Sequence, residues 1–365
     1  GFVFDFFSNS LKIENNQTFV NPDTAVGVAK IDYTGIPTGF QKVTLKINNA
    51  EDLDGQIETY LRDIYPVISN KAVEEIQSSK SINKFITDAQ TGAVDIYLNF
   101  NVPLYYLEDR PDILWELNLP QFESSIFQIY NNDTILIDTW PNVIGKPSTK
   151  TYTGNYAAFR LRNWPTWKDP EAEPESPATP PGPGNPLGLF VVHYDENSLR
   201  YLHGTNKNGL LKNEYRALSH GCVRNLNENV AKLKSFVCKR IVRSKDLTWW
   251  INSKKSMIYE LSEEDKFPVR IIYKLFDVNK DEFGMYVVFF KDVYGYSRGA
   301  SYSKFDDPNL FTFISPENIF NELKKEYPTY KADDKLLQLI PNLAESHTDY
   351  QKYYFDDILN DTTGK

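Results

Sequence analysis

Residues 169–188 constrain the fold more than any other stretch of this chain. Pro170, Pro174, Pro177, Pro180, Pro181, Pro183 and Pro186 fall there, with Gly182, Gly184 and Gly188 among them. Proline lacks a backbone N–H and fixes φ, so neither a helix interior nor a central strand can run through this span. It is either a linker between domains or a long loop within one. Strand-like patterns lie on both sides of it, which favours the loop. The strand-rich pattern before it continues to Trp167, and both flanking segments belong to one motif region.

Around this loop the apolar periodicity changes character. Val43-Thr44-Leu45-Lys46-Ile47 and Val94-Asp95-Ile96-Tyr97-Leu98 alternate as strands do. Between them, Ile57 to Ile86 has helical spacing through Tyr60, Leu61, Ile64, Val67, Val73 and Ile76, with a break at Pro66. Ile126–Tyr130 and Ile135–Ile137 flank Asn131-Asn132-Asp133 and predict a hairpin. Val269, Ile271, Tyr273 and Leu275 predict a strand, Lys280–Gly284 a turn, and Met285–Phe290 a return strand. Pro316–Glu326 and Asp333–Ile340 predict helices. The 365 residues suit two or three domains at about 100–200 residues each. Aromatics make up 14% of the chain, which favours pleated, β-rich structure. The predicted fold class is α+β. A mostly β domain spans 119–296, an N-terminal α+β accessory domain without chemical motifs spans 1–118, and a helical C-terminal extension spans 297–365.

Charge narrows the partners. The net charge is −9 and the 40 Lys and Arg residues are scattered, so nucleic acid is not an expected partner. No apolar run reaches the ~18–20 residues that span a bilayer, so no transmembrane segment is expected. Gly1–Phe7 is aromatic and lacks a basic leader, unlike a signal peptide. Cys222 and Cys238 are the two cysteines, too few for a disulfide framework.

Reactive residue types cluster at Ser219-His220-Gly221-Cys222-Val223-Arg224. A thiolate is the attacking form of cysteine, and ordinary cysteine is mostly thiol at neutral pH. A helix is expected directly after Cys222, capped by Asn225 with Glu228 as its box partner. Its apolar face would be Leu226, Val230, Leu233, Val237 and Ile241, and its dipole would favour the thiolate. The four histidines are His193, His203, His220 and His347. His203, in Leu202-His203-Gly204-Thr205, and His220 both suit a general base by residue type. Gly204 and Gly221 fit places where backbone must approach a ligand closely. The N–H groups of Gly221 and Cys222 fit an oxyanion hole. Cys238 reads as a small buried hydrophobe, His193 as a strand residue and His347 as a solvated tail residue. A zinc site at His203, His220 and Cys222 lacks the tight ligand pairs that mark zinc, so neither metal nor cofactor is expected.

Together, His203-Gly204-Thr205 and Ser219-His220-Gly221-Cys222-Val223-Arg224 resemble the signature of L,D-transpeptidases with a YkuD-type catalytic domain. Val143–Pro147, Pro180–Gly188, Pro268–Ile271 and Asp292–Tyr294 are similar to segments of the larger, periplasmic YcbB-like branch. The resemblance covers residues 119–296. It leaves out both ends, and residues 1–118 hold no peptidoglycan-binding repeat of the kind that branch often carries. The resemblance implies that Cys222 attacks the third-residue carbonyl of a tetrapeptide stem, typically the L-centre of diaminopimelate, and releases D-alanine. An amine acceptor then forms a 3-3 cross-link or attaches a wall-anchored protein; water as acceptor would make the enzyme a carboxypeptidase or amidase. It further implies that His203 is the base, oriented by the Gly204 carbonyl. Gly221 and Cys222 would supply the oxyanion hole, with His220 in a supporting role. Ser219, Arg224, Tyr201, Trp167 and Asn185 are the candidate substrate-binding residues, and the cell envelope is the implied location.

Overall fold

Two sheets carry the centre of the molecule, and each follows from period-two burial along its strands. The computed structural model describes residues 2–5, 10–13, 19–20, 39–47, 52–169 and 172–361. Pro170 and parts of the Gly1–Phe7 segment lie outside the described residues. In the first sheet the strand order is Gly154–Ala158, Phe267–Lys274, Asp112–Asn118, Glu123–Tyr130, Asp133–Pro141, with Phe311–Thr312 added alongside Phe267–Lys274. The expected hairpin is present: Asn131 and Asn132 turn it at φ 52° and 67°, a conformation asparagine tolerates in tight turns.

The second sheet has the order Val223–Arg224, Tyr201–His203, Phe190–His193, Arg160–Asn163, Met257–Glu260. Arg160–Asn163 and Phe190–His193 are antiparallel neighbours, and the proline-rich span joins them. That span is therefore a loop within one sheet, as its position predicts. Register divides this sheet chemically. Leu161, Val192, Leu202 and Val223 are buried on one face, where helix Asn227–Phe236 packs against the sheet and brings Val230 and Leu233 into the same core. On the opposite face Glu260, Arg160, His193 and Tyr201 stand in a row, because each faces the next across the ladder. His203 and Arg224 continue that face one step along. Adjacent residues on a strand point to opposite faces, so the apolar core on one side fixes the polar set on the other.

Toward the N-terminus, Phe40–Ile47 pairs with Val94–Pro103, and helices Leu53–Ile64 and Asn70–Ser78 flank Pro66. The helical spacing expected through Ile86 stops at Ser78. Ser81–Thr87 is instead a strand paired with Val94–Asn99, where Ile82, Phe85 and Ile86 suit a pleated backbone. Asp112–Asn118 belongs to the first central sheet, and one apolar core runs continuously from Val43 to Tyr296, so a cut at 118/119 would split it. A second core joins Phe276, Val278, Val287 and Phe289 to Ile319, Leu323, Leu336 and Ile340. The hairpin Phe276–Asp281/Gly284–Phe289 buries its apolar face against the tail helices Pro316–Glu326 and Asp334–Ala344, so the unit begins well before residue 297. Among the described residues no helix is long and apolar enough to cross a membrane.

Candidate active site

Parallel pairing of Leu202 with Val223 and of His203 with Arg224 sets the two motif segments side by side. Cys222 directly precedes the paired strand, and the Tyr201 backbone N–H reaches its sulfur. Cys222 is half-buried, and its thiol donates to the Leu199 carbonyl at 3.5 Å. Burial pushes the thiol above its ordinary value, while the Tyr201 N–H, Arg200 and Arg224 pull it back.

Ser219 builds the turn that presents Cys222. It is fully buried. Its hydroxyl donates to the Cys222 carbonyl at 2.6 Å and accepts the Gly221 N–H at 3.0 Å. Its own carbonyl accepts from the Lys146 N–H at 3.0 Å and from Thr149 Oγ1 at 3.1 Å. Thr151 Oγ1 donates to the Gly221 carbonyl at 2.7 Å. The Tyr294 hydroxyl donates to the Gly145 carbonyl at 2.8 Å and accepts the Thr151 N–H at 3.1 Å, so the segments around 143–147 and 292–294 converge behind the turn. Gly221 has φ 115°, and a Cβ there would lie 2.8 Å from Arg200 Nε, so both conformation and space require glycine. Arg200 is fixed by the Lys150 carbonyl at 2.8 Å and by stacking 4.0 Å over the Tyr152 ring.

Several expectations change. Ser219 is not placed to touch substrate, because its hydroxyl is consumed inside the turn. The Gly221 N–H is likewise taken by the Ser219 hydroxyl, which removes it from the expected pair of donors. The helix starts at Asn227, after the strand Val223–Arg224, so its dipole does not act at Cys222. Leu226 stands at its N-cap without a side-chain cap. Asn225 Oδ1 instead accepts the Leu226 N–H at 2.8 Å and Asn229 Nδ2 at 2.9 Å. His220 is exposed.

His203 is 3% exposed. Its Nδ1 lies 2.5 Å from the Gly204 carbonyl, which can only accept, so this nitrogen carries the proton and Nε2 is the basic one. Burial, then Arg224, depress the imidazole to about 3, against smaller opposing effects of the Gly204 and Leu187 carbonyls. His203 is therefore neutral at physiological pH. Among the described residues no hydrogen bond joins it to Cys222. Gly204 is required by close approach: a Cβ there would lie 2.0 Å from Asn227 Oδ1. Asn227 also binds the Thr205 backbone through Nδ2 to O at 2.7 Å and N–H to Oδ1 at 3.2 Å.

Arg224 exchanges backbone hydrogen bonds with Val143 at 2.8 and 3.0 Å, and its Nε is buried without a partner beside Cys222. Tyr201 is half-buried, its ring 4.1 Å from that of His193. Trp167 and Asn185 belong to the proline loop itself. Trp167 pairs with Thr179 across its neck. Asn185 is buried, donates to the Pro165 and Pro180 carbonyls at 2.9 and 3.0 Å, and accepts the Leu187 N–H at 2.9 Å. Asn185 thus braces the loop instead of facing substrate. Arg200, Thr151 and Asn227 escaped the sequence reading. Thr151 meets Gly221 from 70 positions away and Arg200 meets Lys150 from 50, distances at which no local pattern signals a contact.

Two measurements follow. Ser219→Ala removes two buried hydrogen bonds and should cost about 1–3 kcal/mol in denaturant unfolding, with slower reaction at Cys222. An unchanged unfolding midpoint would contradict the role given to this hydroxyl. His203 and His193 should also make stability pH-dependent, because burial, with Arg162 and Arg160 adding to it, holds His193 at about 4. The unfolded chain protonates near 6.5, so it binds protons that the folded chain refuses. Stability contributed by these neutral histidines is complete above pH ~6.5 and declines as pH falls toward 4, by up to ~1.4 kcal/mol per pH unit for each. Urea midpoints at pH 7 and 5 should differ less in His203→Gln than in the unsubstituted protein.

Comparison with known proteins agrees with the placement of the two motifs. Residues 118–242 match the YkuD family, the L,D-transpeptidase catalytic domain. A search of curated proteins found no match. Among solved structures, Bd1075 of Bdellovibrio bacteriovorus is 18% identical, with 45% of this chain and 47% of that chain covered and a TM-score of 0.26. L,D-transpeptidase 1 of Mycobacterium tuberculosis is 11% identical, with 53% and 85% covered and a TM-score of 0.26. The helical cell shape determining protein Pgp2 of Campylobacter jejuni is 12% identical, with 46% and 49% covered and a TM-score of 0.24. The match thus spans about half the length of the Bdellovibrio chain. The family that this chain matches, over residues 118–242, is therefore that of the YkuD L,D-transpeptidase catalytic domain.

Proposed function

We propose that this protein is a peptidoglycan L,D-transpeptidase of the cell envelope that works through Cys222. The observation that supports this reading is the parallel pairing of Leu202-His203 with Val223-Arg224, which sets the strand of the neutral, deeply buried His203 beside the segment that directly follows Cys222. His203 Nε2 takes the thiol proton as Sγ turns from the Leu199 carbonyl and attacks the third-residue carbonyl of a tetrapeptide stem. The Cys222 N–H meets the developing oxyanion, and Arg200 and Arg224 favour negative charge at the sulfur. Collapse breaks the amide bond, and the D-alanine amine leaves with the proton held by His203. An acceptor amine then attacks the thioester and passes its proton through His203 back to the sulfur. A second stem makes a 3-3 cross-link; a wall-anchored protein bearing an amine would be attached by the same step. Ser219 and Gly221 hold the turn, His220 edges it, and Tyr201 lines the approach.

Incubation with purified tetrapeptide muropeptides tests this by mass. Cross-linked dimers with released D-alanine are expected. Tripeptide monomers alone would show that water is the acceptor and overturn transfer in favour of hydrolysis. No change in either donor or product would overturn the reading as a whole.

A further inference from the structure

Residues 232–255 hold eight Lys and Arg and a single acidic residue, Asp246, in a chain whose net charge is −9. Part of this basic set is spent inside the fold. Lys234 is buried and donates to Asn163 Oδ1 at 3.2 Å. Lys239 pairs with Asp63, and Arg243 with Asp109. Arg240 donates to the Ile64 and Glu108 carbonyls. Lys232 is half-buried near the Asp138 carboxyl. Lys245, Lys254 and Lys255 are exposed, and among the described residues none of the three has an ion pair.

The same segment exposes a tryptophan. Trp249, on the turn Thr248–Trp250, is 52% exposed. Its neighbour Trp250 is buried, and the two ring planes stand at 82°, with centroids 6.3 Å apart. Trp250 in turn packs on Tyr259 at 6.4 Å, and Lys245 Nζ lies 5.6 Å from the same Tyr259 ring. Lys254 Nζ lies 5.9 Å from the Trp164 ring. The segment is pinned at both ends. Asp265 accepts the Arg243 and Ser244 N–H groups at 2.8 and 3.1 Å, and Asn163 Nδ2 donates to the Ser253 and Lys255 carbonyls at 3.0 Å each. Asp246 accepts the Thr248 N–H at 2.9 Å and its hydroxyl at 2.6 Å, so the one acid is turned back into the segment.

An exposed indole among unpaired ammonium groups matches one environment well. Indole is apolar in body with a single polar N–H, and it settles where hydrocarbon meets headgroups. Each lysine near an anionic leaflet strengthens binding about fivefold. A protein partner would have to desolvate the lysines, which are depleted in such interfaces, whereas a headgroup layer leaves them hydrated. We propose that residues 244–256 seat this protein on the surface of an anionic lipid bilayer, with Trp249 in the interfacial layer and Lys245, Lys254 and Lys255 among the lipid phosphates. Position suits this. Met257–Glu260 is the edge strand of the second sheet, and Tyr259 stands beside Leu161 on the face that the helix covers. His203 and Arg224 lie on the other face, which docking leaves open. The inference does not depend on the reaction at Cys222.

Co-sedimentation of the full chain with vesicles tests it. Binding is expected to vesicles of phosphatidylglycerol mixed with phosphatidylcholine and not to phosphatidylcholine alone. It should be lost on raising salt from ~0.1 M to ~1 M, where the screening length falls to ~3 Å. Lys254→Gln combined with Lys255→Gln should weaken binding about 25-fold. Mixed vesicles should shift tryptophan emission to the blue, and Trp249→Phe should remove that shift. Thermal melting verifies that the variants are folded. Equal binding to both vesicles, no binding to either, or binding and emission unmoved by the substitutions overturns the inference. Release of bound protein by free glycerol phosphate would reduce the patch to a phosphate site and overturn surface docking. An equal Trp249 shift with polyglutamate in place of vesicles would assign it to an acidic polymer and overturn the lipid assignment.

Discussion

Cys222→Ala is expected to abolish covalent labelling by a carbapenem and D-alanine release from tetrapeptide stems, a loss of at least ~10⁴-fold in turnover. The size of this effect follows from the lack of a substitute thiol. Cys238, the other cysteine, is 3% exposed, and burial pushes it up to about 12, so it is neither accessible nor ionised. Both cysteines are free, so no disulfide withholds Cys222. Alanine fits the half-buried site without strain, and the Ser219 hydrogen bonds to the turn involve backbone that the substitution leaves in place. Intact mass after carbapenem exposure reads the result directly. An adduct on Cys222→Ala at the unsubstituted rate would remove Cys222 from the mechanism.

His203→Gln should slow acylation of Cys222 by about 10²–10⁴-fold, the usual contribution of a positioned general base. Glutamine retains the size and a polar end for the Gly204 carbonyl, so the loss reports proton transfer more than packing. The signs of the two pKa shifts give a sharper readout. The Cys222 thiol lies above its ordinary value, so thiolate is not the resting species. His203 stays neutral down to about 3, so it remains a competent base across the physiological range. The unsubstituted protein should therefore acylate at a nearly constant rate from pH 8 to pH 5, without a fall centred near 6.5. In His203→Gln the rate should instead rise about tenfold per pH unit, because only spontaneously formed thiolate reacts. His220→Gln should retain most activity, since His220 is exposed at the rim of the turn. Equal losses in the two histidine variants would refute the assignment of the base.

Much of the strand pattern was legible because it depends on short-range periodicity. Val43–Ile47, Val94–Leu98, the Asn131-Asn132 hairpin and the tail helices are each specified by residues within a few positions. Ile82–Ile86 misled for the same reason: their spacing fits a helix turn as well as a strand, and pairing with Val94–Asn99 decided between them. Domain limits were not legible. The hairpin at 276–289 buries its apolar face against helices some forty residues later, and no local property of the hairpin names that partner.

For the site, the sequence by itself determined which chemistry to propose. One cysteine between glycine and valine, a histidine–glycine pair upstream and a proline loop that could not be a helix were enough to propose acyl transfer at Cys222. Only the tertiary structure decided how the parts act. It showed that Ser219 and the Gly221 N–H are spent on shaping the turn, and that a strand separates Cys222 from the helix dipole. It also showed that Arg200, Thr151 and Asn227 fix the reactive backbone, and that His203 is buried while His220 is exposed. Residue type fixes what a group can do, and that is written locally. Burial, charge and hydrogen-bond partners fix which group does it, and those come from segments 20 to 150 positions apart that meet only when the sheets close.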